Sequence, residues 1–298
     1  MITGSLFRIS IDALRANKLR SGLTLLGVII GVTSVMTIVS ALQGMQDAIE
    51  ADLSQFGPST FLVTRIGIAM SDEEFFEKLK RKPITMKSVP LIEKGCDLCY
   101  KVAPRANTDA RVKYKGQALR NVMISGVTAN GYEVVEVQLS QGRFHTPDED
   151  RMRRPVAIIS DRLRENLFEG VDPLDKEISI DGRKYTVIGV EKRSSIFGDN
   201  QERGYAYIPM STYVAQFGEP RRISLAVKAV SVAALQDAMD QTRMILRAQR
   251  HVPFDKPDDF DLLTADIVLD VINSFTRILR LSLIGISSIS LVVGGIVV

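Results

Sequence analysis

Two long stretches without a charged residue constrain this chain more than any other feature. The first, Ser21–Gln46, has none in 26 positions, and the second, Leu281–Val298, has none in 18. At 1.5 Å per helical residue the first run extends about 39 Å, more than the roughly 30 Å of hydrocarbon in a bilayer. The sequence predicts a transmembrane helix at residues 21–46 and a second at the end of residues 266–298, which begin as a stalk.

The charges outside these runs indicate which kinds of partner the chain can bind. The segment Asp47–Thr276 contains 32 basic and 34 acidic residues, so the net charge of +3 arises in the flanks of the two runs. Nucleic-acid binding needs a basic face on a folded domain, and we therefore expect membrane lipid and no nucleic acid as a partner.

The distribution of Lys and Arg predicts the orientation of the chain. Four basic residues precede the first run, and acidic residues follow it, which places the N-terminus in the cytoplasm and residues 47–265 outside. Arg277 and Arg280 oppose this orientation, but a large domain translocates largely regardless of its charge. Residues 1–20 are predicted to be an amphipathic leader at the inner surface, or else the snorkelling basic end of a longer first helix.

Two further expectations concern the ends of the chain. Val39-Ser40-Ala41 would suit cleavage of a signal peptide, although the apolar run is longer than the usual 7–15 residues of a signal core. A carboxylate at Val298 would lie in or beside hydrocarbon, which is costly. We expect the sequence to be a piece of a longer membrane protein, cut within the second membrane helix.

The extracytoplasmic segment has an α+β pattern. Strands are predicted at Thr60–Arg65, Tyr100–Ala103, Val156–Ile159, Glu177–Ile180, Tyr185–Val190, Tyr205–Ile208, Ser224–Ala229 and Asp261–Leu263, with further β signal around Ala110–Ile124. Helices are predicted near Asp72–Lys80, Met86–Lys94, Asp161–Phe168 and Ala233–Arg250, and from Asp266 onward.

The order of these elements predicts an interrupted subdomain. Residues 47–105 and 223–265 each give a βαβ pattern, and residues 106–222 are rich in strands. We therefore predict a split α/β subdomain into which a β-rich subdomain is inserted, with strands on either side of the insertion pairing with each other.

Catalytic motifs are absent from the sequence. It contains no phosphate-binding G-x-x-x-x-G-K-[ST] loop, no G-x-S-x-G and no H-E-x-x-H. His145 and His251 have no acidic or cysteine residue at a metal-like spacing, and we expect structural or surface roles for both. The sequence predicts neither an enzyme nor a bound cofactor or metal.

The pair Cys96 and Cys99 is the sharpest local feature. In an oxidising compartment a C-x-x-C pair can form a disulfide that joins a helix end to the next strand, which is our favoured interpretation. A zinc site, a thioredoxin-like redox pair and two unpaired thiols are the alternatives. The clusters Arg151, Arg153, Arg154 and Arg247, Arg250, His251 are interpreted as a solvated loop and the end of a helix.

Several segments resemble the MacB-type, or FtsX-like, permeases of ABC transporters. The resemblance is carried by L-R-A-N-K-L-R-S-G-L-T-L-L-G-V-I-I-G-V at Leu14–Val32, S-G-V-T at Ser125–Thr128, Q-G-R-F at Gln141–Phe144, N-L-F at Asn166–Phe168, V-I-G-V at Val187–Val190, I-P at Ile208-Pro209, D-D-F at Asp258–Phe260 and S-L-V-V-G-G-I at Ser290–Ile296. Asp175, where glycine is usual, and Ser160, where the strand commonly ends in glycine, depart from the family pattern.

The resemblance implies a multi-pass permease in a bacterial inner membrane, without an ATP-binding motif of its own. It would work as a homodimer or heterodimer with a separate ATP-binding subunit that holds ATP and Mg, and often with a periplasmic adaptor. Such permeases transmit ATP-driven dimer closure to the ectodomain, which moves macrolides, peptides or lipoproteins. A two-helix sensor with a ligand-binding ectodomain and a membrane-anchored envelope enzyme are the alternative functions.

Overall fold

The first uncharged run lies within a single helix. The structure is a computed structural model that describes residues 18–53, 57–135, 137–192, 203–220 and 222–297. Helix α1 covers Lys18–Leu53, and its segment Ile29–Asp47 is long and apolar enough to cross a membrane. This segment begins later than the predicted 21–46. Most of the predicted leader, residues 1–20, lies outside the described residues.

The second run lies in the C-terminal helix, which covers Ala265–Val297. By length and composition, Ile29–Asp47 is the one candidate membrane span in the described parts of the chain, so a membrane helix at the end of residues 266–298 stays a prediction. The chain divides into a unit whose described residues are helical, Met1–Ala48 with Leu269–Val298, and a sheet domain, Ile49–Val268. Inside the helical unit, Gln46 Nε2 donates to Asn273 Oδ1 at 3.0 Å.

Within its described residues, the sheet domain has helices of one to several turns and ten strands. The strands are β1 Thr60–Thr64, β2 Cys99–Tyr114, β3 Gln117–Val127, β4 Leu139–Gly142, β5 Val156–Ser160, β6 Glu177–Ile180, β7 Arg183–Glu191, β8 Tyr205–Pro209, β9 Ser224–Ala229 and β10 Asp261–Thr264. The helices are α2 Asp72–Leu79, α3 Ser88–Gly95, α4 Gly131–Val134, α5 Pro147–Arg151, α6 Asp161–Phe168, α7 Met210–Phe217 and α8 Leu235–Arg250, before the C-terminal helix α9.

All ten strands belong to one sheet. Its order is β10-β1-β9-β2-β3-β8-β5-β7-β4, and β6 pairs with β2 and β7. Strand β9 runs antiparallel to both β1 and β2, and β1 runs antiparallel to β10, so two βαβ units interleave. Strands on either side of residues 106–222 therefore pair, as expected. A separate subdomain at those residues stays a prediction, because β2 crosses residue 106 without a break.

Strand β2 is longer than the sequence indicates. We predicted a short strand at Tyr100–Ala103, and the next residue is a proline, which is rare inside a sheet. The observed strand continues to Tyr114. Pro104 is tolerated because pairing with β3 begins only at Arg105, so the missing N–H does not interrupt a ladder on that side. Helices α4, α5 and α7 and strand β4 were not predicted at all.

One face of the sheet is covered by helices. Side chains alternate along a strand, so Phe61 and Val63 in β1 share a face while Leu62 points to the other. The face that carries Phe61 and Val63 is packed against helices α3, α6, α7 and α8, and we call it the covered face. A large core of buried side chains lies there. Its members include Phe61, Ile92, Val102, Ile124, Leu163, Phe168, Ile208, Tyr213, Val227 and Leu246.

The opposite, open face carries smaller apolar clusters. One is centred on Tyr132, Ile158 and Tyr207, and another on Ala103, Val134 and Ala226. The one-turn helix α4 contacts β2 and β9 on this side. A single turn covers little surface, so the open face is less fully packed than the covered face.

Residues of two family-like segments are closely surrounded by their neighbours. Gly142 of Q-G-R-F has φ +79°, and a Cβ atom there would lie 2.2 Å from the carbonyl oxygen of Ile188. Glycine is therefore required. Asp258 of D-D-F pairs with Arg247, and the buried Arg250 holds Asp259 through Nε at 2.6 Å and Nη2 at 2.8 Å. These ion pairs give the basic end of α8 the structural role expected from the sequence.

Both departures from the family pattern fit their backbone. Ser160 caps α6, and its hydroxyl accepts hydrogen bonds from the backbone N–H groups of Leu163 at 3.2 Å and Tyr205 at 3.0 Å. Asp175 has φ +58°, a left-handed conformation that favours glycine but that Asp also tolerates. Each of the two positions thus accommodates a residue other than glycine.

Candidate functional site

The two cysteines lie between the end of a helix and the start of the next strand, as the sequence predicts. Cys96 follows the last residue of α3 and Cys99 begins β2, and the structure joins them in a disulfide with Cα atoms 5.3 Å apart. Cys99 Sγ lies 3.4 Å from Thr242 Oγ1 on α8. The pair thus packs inside the covered face, and its redox state in the cell stays a prediction.

The histidines occupy two different environments. His251 ends α8 in a left-handed conformation at the surface. His145 is 4% exposed, and its Nδ1 lies 2.9 Å from the hydroxyl oxygen of Tyr132. Burial lowers the pKa of His145. No group of three or more His, Cys, Asp or Glu side chains suited to a metal ion occurs among the described residues.

The basic cluster at Arg151, Arg153 and Arg154 is exposed, as expected, but it ends helix α5. This helix has a capping box in which Thr146 and Glu149 satisfy each other's backbone N–H groups. Arg143 hydrogen-bonds both carboxylate oxygens of Glu149 and holds the pKa of that carboxyl at about 2. The site is thus a structural turn stabilised by charge.

A cavity of about 310 Å³ lies on the open face. Strands β1, β9, β2 and β3 form its floor, and α4 with Val135 and Val137 forms a wall. Its apolar lining includes Leu62, Ala103, Met123, Val127, Val137 and Ala226. Pockets that bind small molecules are mostly apolar with a few convergent polar groups. We call this cavity the open-face pocket.

Arg105 is the cation of the open-face pocket. In the strand register, Arg105 of β2 is paired with Ser224 of β9 on one side and with Val127 of β3 on the other. Asn107 is paired with Ser125 of β3. Arg105 donates from Nε to Asn107 Oδ1 at 3.3 Å and from Nη2 to Ser125 Oγ at 3.1 Å. The Ser125 hydroxyl donates in turn to Asn107 Oδ1 at 2.9 Å. The guanidinium group is also 5.3 Å from the ring centroid of Tyr207, so neutral groups fix its position.

Buried polar side chains lie beside the pocket. Tyr132 stacks on Phe144, and Tyr205 and Tyr207 meet edge to face. Glu191, 3% exposed, belongs to the same group. Burial raises the pKa of Glu191 to about 7, although Tyr205, Arg105 and Tyr207 favour its charged form. Burial also raises the pKa of Tyr132, of Tyr205 and of Tyr207.

Sequence reasoning assigned no binding role to any residue of this pocket, although Val127 lies in the family-like segment Ser125–Thr128. Arg105 lies just beyond the predicted end of its strand, and Glu191 just beyond another. The alternation of Tyr205 and Tyr207 in a predicted strand was the available signal, since it places two aromatic side chains on one face. The structure brings neither Cys96, Cys99 nor His251 into the pocket.

Known proteins resemble this chain over most of its length. The family model described as the MacB-like periplasmic core domain matches residues 21–245. The macrolide export ATP-binding/permease proteins MacB of Neisseria meningitidis and of Bdellovibrio bacteriovorus are 29% and 28% identical over 97% and 96% of this chain. The chain spans 44% of the length of each of these relatives.

Two solved structures share the fold. The periplasmic region of MacB from Actinobacillus actinomycetemcomitans aligns with a TM-score of 0.61 and 18% identity, covering 76% of this chain and 97% of that one. The extracellular domain of the noncanonic ABC-type transporter YknZ from Gram-positive bacteria aligns with a TM-score of 0.53 and 19% identity. It covers 69% of this chain and 100% of that domain.

Proposed function

The chain belongs to the family of MacB-like periplasmic core domains, and on that premise we propose that it is the permease part of an ABC transporter in a bacterial inner membrane. The observation that carries the proposal is the family match across residues 21–245, which joins the apolar helix α1 to the sheet domain. The relatives named above are ATP-binding/permease proteins, and this chain aligns with less than half of each.

In this proposal the chain transmits motion. An ATP-binding subunit holds ATP and Mg in the cytoplasm, and its closure brings two permease copies, identical or different, together. The 33-residue helix α9 follows β10 without a gap, so it is the element suited to couple the sheet domain to the membrane. The N-terminus is cytoplasmic, the sheet domain is periplasmic, and a periplasmic adaptor assists. Macrolides, peptides or lipoproteins are the substrate classes.

The first experiment tests association. The natural full-length protein is co-expressed with the ATP-binding subunit encoded beside it, purified in detergent and reconstituted in liposomes. We expect the two subunits to copurify, and the permease to change the rate of ATP turnover. Absence of both effects would contradict the transporter proposal and would favour the two-helix sensor, for which the open-face pocket would be the ligand site.

A second experiment tests transmission through α9. Phe275 is 55% exposed, so Phe275→Ala removes little packing, whereas Phe275→Pro removes a helical hydrogen bond and bends the helix. Spin labels at Met244, an exposed position on α8, report the distance between the sheet domains of an assembled complex. We expect ATP to change this distance in the F275A control and not in F275P, while ATP turnover continues in both. An unchanged response in F275P would argue against a rigid helical link.

A further inference from the structure

The open-face pocket combines an apolar body with Arg105, which is the one cation among the described residues that line it. Its volume of about 310 Å³ is at the small end of the range of about 300–1,000 Å³ that is usual for ligand sites. Apolar side chains, among them Leu62, Val127 and Val137, make up most of the lining. This composition suits a compact apolar group and would exclude a highly polar ligand.

Among the described residues, Arg105 has no ion-pair partner at hydrogen-bonding distance, which a half-buried guanidinium group usually has. Its two side-chain hydrogen bonds go to neutral oxygens, of Asn107 and Ser125, and within the described part of the chain it forms no ion pair. Those bonds use Nε and Nη2, so Nη1 has no hydrogen-bond partner among the described residues. Planar carboxylate and phosphate groups are the ligands that guanidinium binds best.

The position of Arg105 is preorganised. Ser125 is fully buried, and its hydroxyl bonds Asn107, so both acceptors are themselves held in place. The ring of Tyr207 lies against the guanidinium group on the same face of the sheet. A side chain that is fixed before binding loses less conformational entropy on contact with a ligand. Glu191 beside the pocket interacts electrostatically with Arg105, but no carboxylate of the described residues forms an ion pair with it.

We propose that the open-face pocket binds a small amphipathic anion, with an aliphatic body in the apolar lining and one carboxylate or phosphate group on Arg105. The fixed fork of Arg105 selects the charged group. The short pocket limits the length of the aliphatic part.

The test is a binding measurement on the full chain in phosphatidylcholine nanodiscs, with empty nanodiscs subtracted. Octanoate and octyl phosphate are the anionic probes, and octanamide is a neutral probe with the same chain length. Isothermal titration should show that both anions bind at least about tenfold more tightly than octanamide, the ratio expected for one charge-assisted contact. The relative affinity of the two anions then distinguishes a carboxylate from a phosphate ligand.

Three variants locate the binding. Arg105→Gln should reduce the affinity for both anions by at least about tenfold and leave octanamide unchanged. Arg105→Lys should lie between, because an ammonium group lacks the planar fork. Ala103→Leu, which adds side-chain volume to the floor of the pocket, should weaken all three probes. The matched control is Arg111→Gln, which removes an exposed arginine from the same strand.

The proposal is overturned if octanamide binds as tightly as octanoate, or if R105Q binds the anions as the unsubstituted chain does. If R105Q does not fold, R105K and A103L decide the question, and unchanged binding in both would reject the site. The measurement needs no ATP-binding subunit. Its failure would therefore leave the transporter proposal intact, and failure of the transporter proposal would not remove the pocket.

Discussion

The two faces of the sheet are made by the same strands but are filled in opposite ways. Phe61 and Leu62 are neighbours in β1, yet Phe61 is fully buried beneath helices and Leu62 lines a cavity. The covered face holds one continuous apolar core, whereas the open face holds aromatic rings, Arg105, His145 and Glu191. The difference indicates that stability depends mainly on one face, while the other retains polar groups at a cost.

The largest expected effect tests this division directly. Phe61→Ala should destabilise the sheet domain by about 3–5 kcal/mol, because it removes a fully buried ring from a packed core. Leu62→Ala should cost only about 1 kcal/mol, since its side chain already borders a cavity. Urea unfolding in detergent, followed by tyrosine fluorescence, gives both values. All seven tyrosines lie between Tyr100 and Tyr213 and the chain has no tryptophan, so this signal reports the sheet domain. Equal losses would refute the contrast between the faces.

The next effect concerns pH and belongs to the open face. The pKa of Glu191 is about 7 in the folded chain, above its ordinary value of 4.5. The folded state therefore binds this proton more tightly, and the associated stability is present at low pH and lost as the pH rises through 7. Compared with Glu191→Gln, the unsubstituted chain should lose roughly 2 kcal/mol of unfolding free energy between pH 5 and pH 8.

The control for this prediction is Glu177→Gln, which removes an exposed carboxylate on the neighbouring strand β6. Surface substitutions of this kind usually change stability by less than about 0.5 kcal/mol. The same urea titrations at the two pH values measure all three proteins. A pH dependence in E191Q that matches the unsubstituted chain would show that Glu191 is not the group that titrates.

The comparison of the faces also explains what the sequence could predict. Helix α6 and strands β6 and β9 begin and end where predicted, because turn signals such as Asp181-Gly182 and changes in composition are local. Pairing between the strands on either side of residues 106–222 was likewise predictable, from the βαβ pattern of the two flanking segments. Strand β2 was predicted too short, because the tolerance of Pro104 depends on where a neighbouring strand begins to pair.

The open-face pocket could not be predicted from local signals. It brings Leu62 and Ala226 together with Ala103, through the register of three strands that are distant in sequence. A one-residue slip in register would send every one of these side chains to the other face. The sequence contains no motif that fixes the register, so the pocket emerges only in the folded sheet. The cysteine pair, by contrast, is recognisable from its spacing alone.

The smallest expected effect lies at the rim of the sheet, in an exposed turn away from both faces. Asp175 has φ +58°, so Asp175→Ala should be less stable than Asp175→Gly by about 1 kcal/mol, the usual cost of a Cβ atom in a left-handed conformation. Asp175→Asn removes the charge near Arg143 but keeps a side chain that tolerates this conformation, and so separates charge from backbone strain. If alanine equalled glycine in the same urea titrations, the turn would not be left-handed. A difference of the expected size would instead confirm the left-handed conformation at Asp175.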